Sequence, residues 1–338
     1  MASRRDSMIW GLLFMLVPIF GVGAFVFSYG RWWLPPNLGS YGDKVDNLFY
    51  VILWITAVAF VITEGALFFF LLRYRGQEGK KAQYSHSNRP LEIVWTIIPG
   101  VILIFIAFAQ KSTWDHIKDP SSFPEADFQV GVLGRQFEWS FQFPGDDGQM
   151  GTDDDIYSSN NLHVPVNSNV VVSLESLDVL HSFFLPHFRL KQDAVPGMTI
   201  PVWFKATRTT RSLWEEGAGE ELSSWQAAED IYHDAWKKWN DEKDTAAKGP
   251  LKSAAEDASR AAVAAFEAAS EGAHLLGALT FPPKRPEFPR IKEGPWRPRE
   301  YRVEIACAEL CGLGHYRMRG MLIIESAADV SKWLETQK

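Results

Sequence analysis

The feature that most limits the fold is a set of three long apolar runs in the first third of the chain. Residues 8–29 contain no charged side chain, and two further apolar runs cover residues 48–72 and 91–110. At about 1.5 Å per residue, each run is long enough as a helix to cross a hydrocarbon core of roughly 30 Å. Because a backbone in lipid must satisfy its own hydrogen bonds, we predict three N-terminal transmembrane helices and a membrane anchor over residues 1–111.

The first run also lies where a cleavable signal peptide would lie. Arg4 and Arg5 precede it, as in the positive segment of a signal peptide, but the run is long for that purpose and no clear small-x-small site follows. We therefore interpret it as a retained helix. Basic residues are more frequent between the second and third runs than between the first and second. The positive-inside rule then predicts a cytoplasmic N-terminus and an exported domain after Lys111.

After the anchor, the apolar pattern has the two-residue period of a half-buried strand. The alternation is clearest at Phe137, Trp139, Phe141 and Phe143. Further short strands are predicted at 162–166, 170–174, 199–204, 301–306 and 321–324. This pattern predicts an all-β Greek-key sandwich in two parts, residues 112–207 and 301–326, followed by a C-terminal helix over 327–338. The fold class is thus an α+β membrane protein.

An acidic segment, residues 208–300, separates the two parts of the predicted sandwich. Within residues 215–272 there are 14 acidic and six basic residues, and the whole chain has a net charge of −7. Apolar residues at helical spacing predict a helical insertion of two helices broken at Gly249 and Pro250, with a Pro-rich return. A disordered acidic linker is the alternative, but aromatic residues give the helices a face to bury.

The acidic charge also bears on the ligands of this chain. A negative net charge argues against a nucleic-acid partner, since phosphate binding needs a basic footprint. Residues 145–155 are rich in Asp and look like a calcium loop, but they lack the spacing of an EF-hand. We interpret this loop as a solvated acidic turn.

Both cysteines of the chain lie in one short stretch, Cys307-Ala-Glu-Leu-Cys311-Gly-Leu-Gly-His315-Tyr-Arg-Met318. Thiolate and thioether ligands select copper(I), zinc or iron–sulfur clusters, and imidazole suits zinc and copper. A closed zinc site usually needs a second pair of ligands, and a blue-copper centre would leave one cysteine unused. Two thiolates four residues apart can instead bridge a pair of coppers, and His181 supplies a second imidazole after a predicted strand.

With these residues the chain resembles cytochrome c oxidase subunit II, the dicopper subunit of bacterial haem–copper oxidases. The matching stretches are the cysteine motif, residues 178–182 around His181, residues 190–197, and residues 91–99 at the start of the third run. The resemblance extends from about residue 45 to the end, except for the insertion. It implies a cupredoxin-like sandwich that carries the centre called CuA.

The resemblance also implies the ligands of that centre. They would be His181, Cys307, Glu309 through its main-chain carbonyl, Cys311, His315 and Met318. The two cysteines would bridge both coppers. His181 and Met318 would complete the coordination of one copper. His315 and the Glu309 carbonyl would complete that of the other. Retention of all six positions argues against a non-redox scaffold.

Other residues acquire expected roles from the same resemblance. The Glu309 carboxylate is similar to a ligand of a magnesium ion at the contact with subunit I, and Glu92 is similar to a carboxylate at the entrance of a proton path. Phe137 and Trp139 are candidates for the place where electrons arrive. Here the chain departs from the family, because Phe137 stands where a tryptophan is usual and Met198 where an arginine is usual.

The implied function is electron transfer in a respiratory complex. The centre would accept electrons from a cytochrome c, or from a membrane-tethered cytochrome c domain docked in part by the acidic insertion. It would pass them to haem in the catalytic subunit, which reduces O2 to water, so the chain would be part of an oxidoreductase and translocase and unable to reduce O2 alone. The copper domain would face the periplasm from the bacterial inner membrane, and haem would lie only in partner subunits.

The copper subunit of a nitric oxide reductase shares the site and is the alternative. A cytochrome c domain fused to this chain is excluded, because covalent haem attachment needs CxxCH and the only cysteine pair here is CxxxC.

Overall fold

The computed structural model describes residues 4–28, 34–74, 79–81, 84–218, 221–275 and 303–338. The predicted Pro-rich return and the first two residues of the strand predicted at 301–306 lie outside the described residues. The chain forms two compact units. Unit 1 comprises Met1–Trp33 and Asp43–Ser122, and unit 2 comprises Leu34–Gly42 and Phe123–Lys338.

Unit 1 contains three long helices, α1 (Arg4–Ser28), α2 (Gly42–Arg73) and α3 (Arg89–Lys118). α2 and α3 are long and apolar enough to cross a membrane. In α1 the apolar stretch is shorter and covers Met15–Ser28. The third span therefore stays a prediction. α3 also continues beyond the predicted end of the anchor at residue 111, because an ion pair of 2.6 Å between Lys111 and Asp115 supports a further, polar turn.

α1 packs on α2 through small and aromatic residues. A Cβ atom built on Gly21 would lie 3.7 Å from the Phe60 ring, so the two helices are in close contact there. The rings of Phe25 and Trp54 meet edge to face with their centres 6.4 Å apart. Since the later residue of α1 meets the earlier residue of α2, the two helices run antiparallel.

Unit 2 is a sandwich of two five-stranded sheets. One sheet has the order β3-β2-β1-β5-β8 and the other β4-β10-β9-β6-β7. The strands are β1 (Phe128–Arg135), β2 (Glu138–Phe143), β3 (Ile156–Ser159), β4 (Asn161–Pro165), β5 (Asn169–Ser176), β6 (His181–Leu185), β7 (Leu190–Ala194), β8 (Ile200–Lys205), β9 (Val303–Cys307) and β10 (Arg319–Glu325). The C-terminal helix α7 spans Ala327–Glu335.

The alternating pattern of β2 explains the core. Trp139, Phe141 and Phe143 are fully buried, as their two-residue spacing predicts. Phe137 shares that spacing but precedes the strand, in the turn between β1 and β2, and is only half-buried. β1 pairs antiparallel with β2 and parallel with β5, which makes this sheet mixed.

The segment Leu34–Gly42 is part of the sandwich unit, whereas the sequence predicts an anchor that includes it, over residues 1–111. Leu38 and Tyr41 are buried. The Leu38 amide donates to the His187 carbonyl at 2.8 Å, and the Tyr41 ring packs edge to face on Trp203. Residues 34–42 are thereby held against the sandwich.

In the part of the insertion that the structure describes, the chain forms three helices, α4 (Thr210–Ala218), α5 (Glu221–Asp241) and α6 (Thr245–Leu275). The predicted break at Gly249 and Pro250 is wrong, because α6 continues through both residues. The helices are instead separated at residues 242–244, where the Asp244 carboxylate accepts from the Ala246 amide at 2.9 Å and starts α6. The insertion is attached to β10 through Thr210, whose hydroxyl lies 3.3 Å from both the amide nitrogen and the carbonyl oxygen of Ile324.

Candidate metal centre

Three potential metal ligands meet at one end of the sandwich. One ligand atom each from His181, Cys307 and Cys311 lies within 4.8 Å of the others, and all three side chains are buried. The two sulfur atoms are 3.9 Å apart. Because a disulfide bond is about 2.05 Å long, these are two separate thiols.

Two neighbouring strands bring these ligands together. β6 begins at His181 and β9 ends at Cys307, and the two strands pair antiparallel with Phe183 opposite Cys307. The pairing continues past the strand end, since the Ala308 amide donates to the Ser182 carbonyl at 3.0 Å. Residues that are 126 positions apart in the sequence are therefore held at a fixed distance.

The loop after β9 adds three more potential ligand atoms. His315 Nδ1 lies 3.5 Å and Met318 Sδ lies 3.6 Å from Cys311 Sγ. The Glu309 carbonyl oxygen lies 3.3 Å from Cys307 Sγ. The structure thus brings all six predicted ligand positions into one cluster.

Backbone hydrogen bonds close this loop around the sulfurs. The Cys307 amide donates to the Met318 carbonyl at 3.3 Å, and the Met318 amide donates to the His315 carbonyl at 3.1 Å. The loop therefore begins and ends at the same point of the sandwich, where β9 leads into it and β10 leads out. This arrangement keeps its donor atoms on one side.

His181 is oriented by a carboxylate. Its Nε2 lies 2.8 Å from Asp178 Oδ1, and its Nδ1 faces Cys307 Sγ at 3.9 Å. Burial opposes ionisation of Asp178, but hydrogen bonds from the Gln136 amide, His181 and the Val179 amide outweigh it and lower the pKa of the carboxyl. An ionised Asp178 holds a proton on Nε2 and leaves the Nδ1 lone pair free to bind a metal.

The Cys311 thiol is protonated in the absence of a metal. Burial, with the adjacent Cys307 sulfur, raises the pKa of the Cys311 thiol to about 11. A metal that binds here as a thiolate complex must therefore displace a proton. Low-pKa catalytic cysteines show the opposite shift, so Cys311 does not have the character of a redox-enzyme nucleophile.

The donor set fits copper. It combines two thiols, a thioether and two imidazoles, which are ligands for copper or zinc and not for magnesium or calcium. The sulfur separation of 3.9 Å is less than twice a metal–thiolate bond of about 2.3 Å, so both sulfurs can bind the same ion. Two sulfurs with that reach can hold one ion on each side of the line that joins them.

Aromatic side chains shield the inner side of the cluster. The Trp139 ring lies edge to face with His181 at 6.1 Å and with Phe183 at 5.4 Å. Trp139 is 0% exposed, so it cannot be a surface contact for an electron donor. Of the two candidates for the place where electrons arrive, Trp139 is therefore restricted to the interior of the domain.

Phe137 lies over the outer side of the loop. A Cβ atom on Gly314 would overlap the Phe137 ring, and one on Gly312 would lie 3.2 Å from it. The Arg317 guanidinium lies 5.9 Å from the centre of the same ring. The Phe137 ring thus packs on the loop backbone at Gly312 and Gly314, where any larger residue would crowd it.

Several large side chains in the metal loop and near His181 are exposed. They are Leu310, Leu313 and Tyr316 in the loop, and Leu177, Leu180 and Met198 in other turns of the sandwich. Leu313 is 99% exposed.

The carboxylates of two predicted acidic residues, Glu92 and Glu309, are not among the donor atoms that meet in the cluster. The Glu92 carboxylate accepts from the Asn88 amide at 3.2 Å, while the Asn88 side chain accepts from the Leu91 amide, so Glu92 caps the start of α3. The Glu309 carboxylate has no hydrogen-bond partner among the described residues. The cluster takes only its main-chain carbonyl.

Sequence reasoning gave no role to two residues that support the centre. Asp178 orients His181, and its spacing of three residues from a candidate ligand was a usable signal. Gln136 donates from its side chain to the Cys311 carbonyl. No sequence pattern indicates a contact between residues 175 positions apart.

Two family models match the chain. Cytochrome C oxidase subunit II, transmembrane domain, matches residues 37–110, and Cytochrome C oxidase subunit II, periplasmic domain, matches residues 128–215. The second match includes His181 and ends before β9. The insertion separates this matched part from the loop that carries the two cysteines.

Individual relatives extend the comparison. Alternative cytochrome c oxidase subunit 2 of Bradyrhizobium diazoefficiens is 24% identical, over 96% of this chain and 91% of that protein. Cytochrome c oxidase subunit 2 of Cereibacter sphaeroides is 31% identical, and that of Thermostichus vulcanus 29%, over about half of this chain and 66% of each relative. The periplasmic domain of subunit II of cytochrome oxidase of Bradyrhizobium japonicum aligns with a TM-score of 0.32 and 19% identity, over 63% of this chain and 95% of that one.

Proposed function

Because the chain belongs to the cytochrome c oxidase subunit II family, we propose that it accepts electrons from a cytochrome c at a dicopper centre in a bacterial haem–copper oxidase. The electrons pass to haem in the catalytic subunit, where O2 is reduced to water. The chain does not reduce O2 alone. The observation that carries this proposal is the gathering of two thiols, two imidazoles, a thioether and a carbonyl oxygen in one buried cluster.

Each residue of the cluster has a defined task in this proposal. Cys307 and Cys311 would hold both metal ions between them. His181 with Met318 would hold one of the ions, and His315 with the Glu309 carbonyl would hold the other. When bound, a copper pair supplies one-electron redox chemistry. The β6–β9 pairing fixes His181 and Cys307, and backbone hydrogen bonds close the loop that carries the other ligands. A site held in this way favours a geometry that changes little between redox states.

Electrons arrive from the outer side of the metal loop. Phe137 is the half-buried aromatic residue between solvent and the loop, and the exposed apolar side chains of the metal loop, such as Leu313, provide a contact area for a donor. Trp139 lies behind the cluster and excludes water from His181. The acidic insertion contributes to docking of a cytochrome c or of a membrane-tethered cytochrome c domain.

Two acidic residues connect this chain to the catalytic subunit. Glu309 offers its carboxylate to a magnesium ion at the contact with subunit I, and the remaining ligands come from that partner. Glu92 stands at the cytoplasmic start of α3, at the entrance of a proton path into the same subunit. Its capping bond to Asn88 is compatible with this role, because one carboxylate oxygen remains available.

The membrane arrangement follows from unit 2. Since residues 34–42 pack on the sandwich, they lie on the same side of the membrane as the metal cluster. From that side α2 crosses into the cytoplasm and α3 returns, so the basic connection between them lies in the cytoplasm. The packing of Gly21 and Phe25 against α2 supports α1 as a third span, with a cytoplasmic N-terminus and a periplasmic metal domain.

Copper titration of the purified full chain tests this function. We expect two coppers per chain under reducing conditions, and loss of the pair in Cys307→Ser. Tyr316→Phe is the matched control, because Tyr316 is an exposed residue of the same loop and should keep both ions. A single copper, or zinc that copper does not displace, would contradict the proposal.

A further inference from the structure

We propose that Gln136 is a positioning residue of the metal centre, which fixes the loop ligand Cys311 relative to the strand ligand His181. The inference rests on the proposed function only for the identity of the metal. Gln136 lies in the turn between β1 and β2, outside the ligand set, and is exposed.

The main chain of Gln136 contacts the His181 side of the centre. Its amide donates to Asp178 Oδ2 at 2.8 Å. The other oxygen of the same carboxylate lies 2.8 Å from His181 Nε2. Asp178 is therefore shared between the imidazole that it orients and the backbone of the turn.

The side chain of Gln136 contacts the cysteine side of the centre. Its Nε2 donates to the main-chain carbonyl of Cys311. The next residue, Gly312, has a φ of +131°, and a Cβ atom there would lie only 2.7 Å from the Gln136 Nε2. Glycine at this position is what allows the amide group to approach the loop backbone.

Together these bonds form one chain of contacts. It runs from the Cys311 carbonyl through both donors of Gln136 to Asp178 and ends at His181. β6–β9 pairing already fixes Cys307 relative to His181, but Cys311 lies in the loop beyond the strand. Gln136 supplies a side-chain link between that loop and the His181 side of the sandwich.

The expected effect of losing this link is a looser metal site in an intact fold. Removal of residues that support metal ligands typically weakens metal affinity by about 10-fold to 100-fold. The amide of residue 136 is part of the backbone, so its bond to Asp178 survives substitution. Changes at this side chain therefore test the contact to Cys311 alone.

Gln136→Glu and Gln136→Ala in the purified full chain test the proposal. Glutamate has nearly the same shape but its carboxylate cannot donate to a carbonyl, so we expect about 10-fold weaker metal affinity in both variants. In metal-free protein, amide hydrogen exchange across residues 308–318 should also be faster than in wild type. Gln142→Glu is the control, since Gln142 donates to Asp155, another residue of the sandwich unit outside the cluster.

Affinity is measured for copper(I) and for zinc, because the link acts on protein geometry with either ion. If the wild-type chain binds zinc but no copper pair, the proposed function fails. The zinc affinities of the wild-type chain and the Gln136 variants then test the inference. Wild-type affinity and wild-type exchange in Gln136→Glu would overturn the inference. An equal loss of affinity in Gln142→Glu would also overturn it, because the effect would then be general.

Discussion

The sulfur atoms of Cys307 and Cys311 lie 3.9 Å apart and are not bonded to each other. One cysteine ends β9 and the other lies in the loop that follows. The separation suits ions that both sulfurs share, and burial keeps competing water away. The chemistry of the centre follows from this pair and from the residues that hold it.

Metal uptake should become stronger as pH rises. The pKa of the Cys311 thiol is about 11, so the thiol is protonated at neutral pH and its proton is released on binding. Because one proton is exchanged for the metal, apparent affinity should increase about 10-fold per pH unit between pH 6 and pH 8 for this group alone. Competition with a chelator of known pH dependence measures it. A pH-independent affinity would contradict the protonated thiol.

Asp178→Asn should weaken metal binding without unfolding the domain. The amide that replaces the carboxylate no longer holds the proton on His181 Nε2 by charge, and affinity should fall by about 10-fold to 100-fold. Asp193→Asn is the control, since Asp193 binds Ser182 and Lys191 at the sheet. If both variants retain wild-type affinity, the carboxylate does not orient the ligand.

Gly314→Ala should displace the Phe137 ring and slow electron transfer from a cytochrome c. The added methyl group overlaps the ring, which can swing away because it is only half-buried. Copper content should stay at the wild-type level. The rate is measured by rapid mixing with reduced donor.

A double-mutant cycle separates this effect from damage to the loop. If Gly314→Ala acts through Phe137, it should add little to the rate loss of Phe137→Ala. Rate losses that simply multiply in the double variant would show that the two positions act independently.

Glu92→Gln should keep the start of α3 intact and impair proton uptake. Glutamine retains the oxygen that accepts from the Asn88 amide, so the helix cap survives while the charge is lost. Glu92→Leu removes both. In the assembled oxidase we expect lower steady-state turnover in both variants and loss of helix stability only in Glu92→Leu. Wild-type turnover in Glu92→Gln would exclude a proton-path role.

The sequence indicated which donor atoms lie together, because sulfur and imidazole ligands are rare and their spacing is specific. Two cysteines, a histidine and a methionine in twelve residues already limit the metal, and the structure adds the distances. The sequence did not predict the position of the boundary between α5 and α6 in the insertion. Gly249 and Pro250 are strong breakers on average, but a start at Thr245 places them early in α6, where packing on α5 outweighs the lost hydrogen bond.

Local sequence patterns could not predict contacts between residues that lie far apart in the chain. Nothing near Leu38 indicates that its backbone pairs with His187, and nothing near Gln136 indicates a bond to Cys311. The two-residue period did place Trp139 in the core. It could not show that Phe137 leaves the strand and covers the metal loop instead.

An electron paramagnetic resonance spectrum of the copper-loaded full chain tests the central claim most directly. If Cys307 and Cys311 bridge two coppers, the one-electron-oxidised pair should give the seven-line hyperfine pattern of one electron shared by two equivalent nuclei. Cys307→Ser should abolish it. A four-line pattern from a single copper would contradict the account, as would a copper-free site that holds zinc.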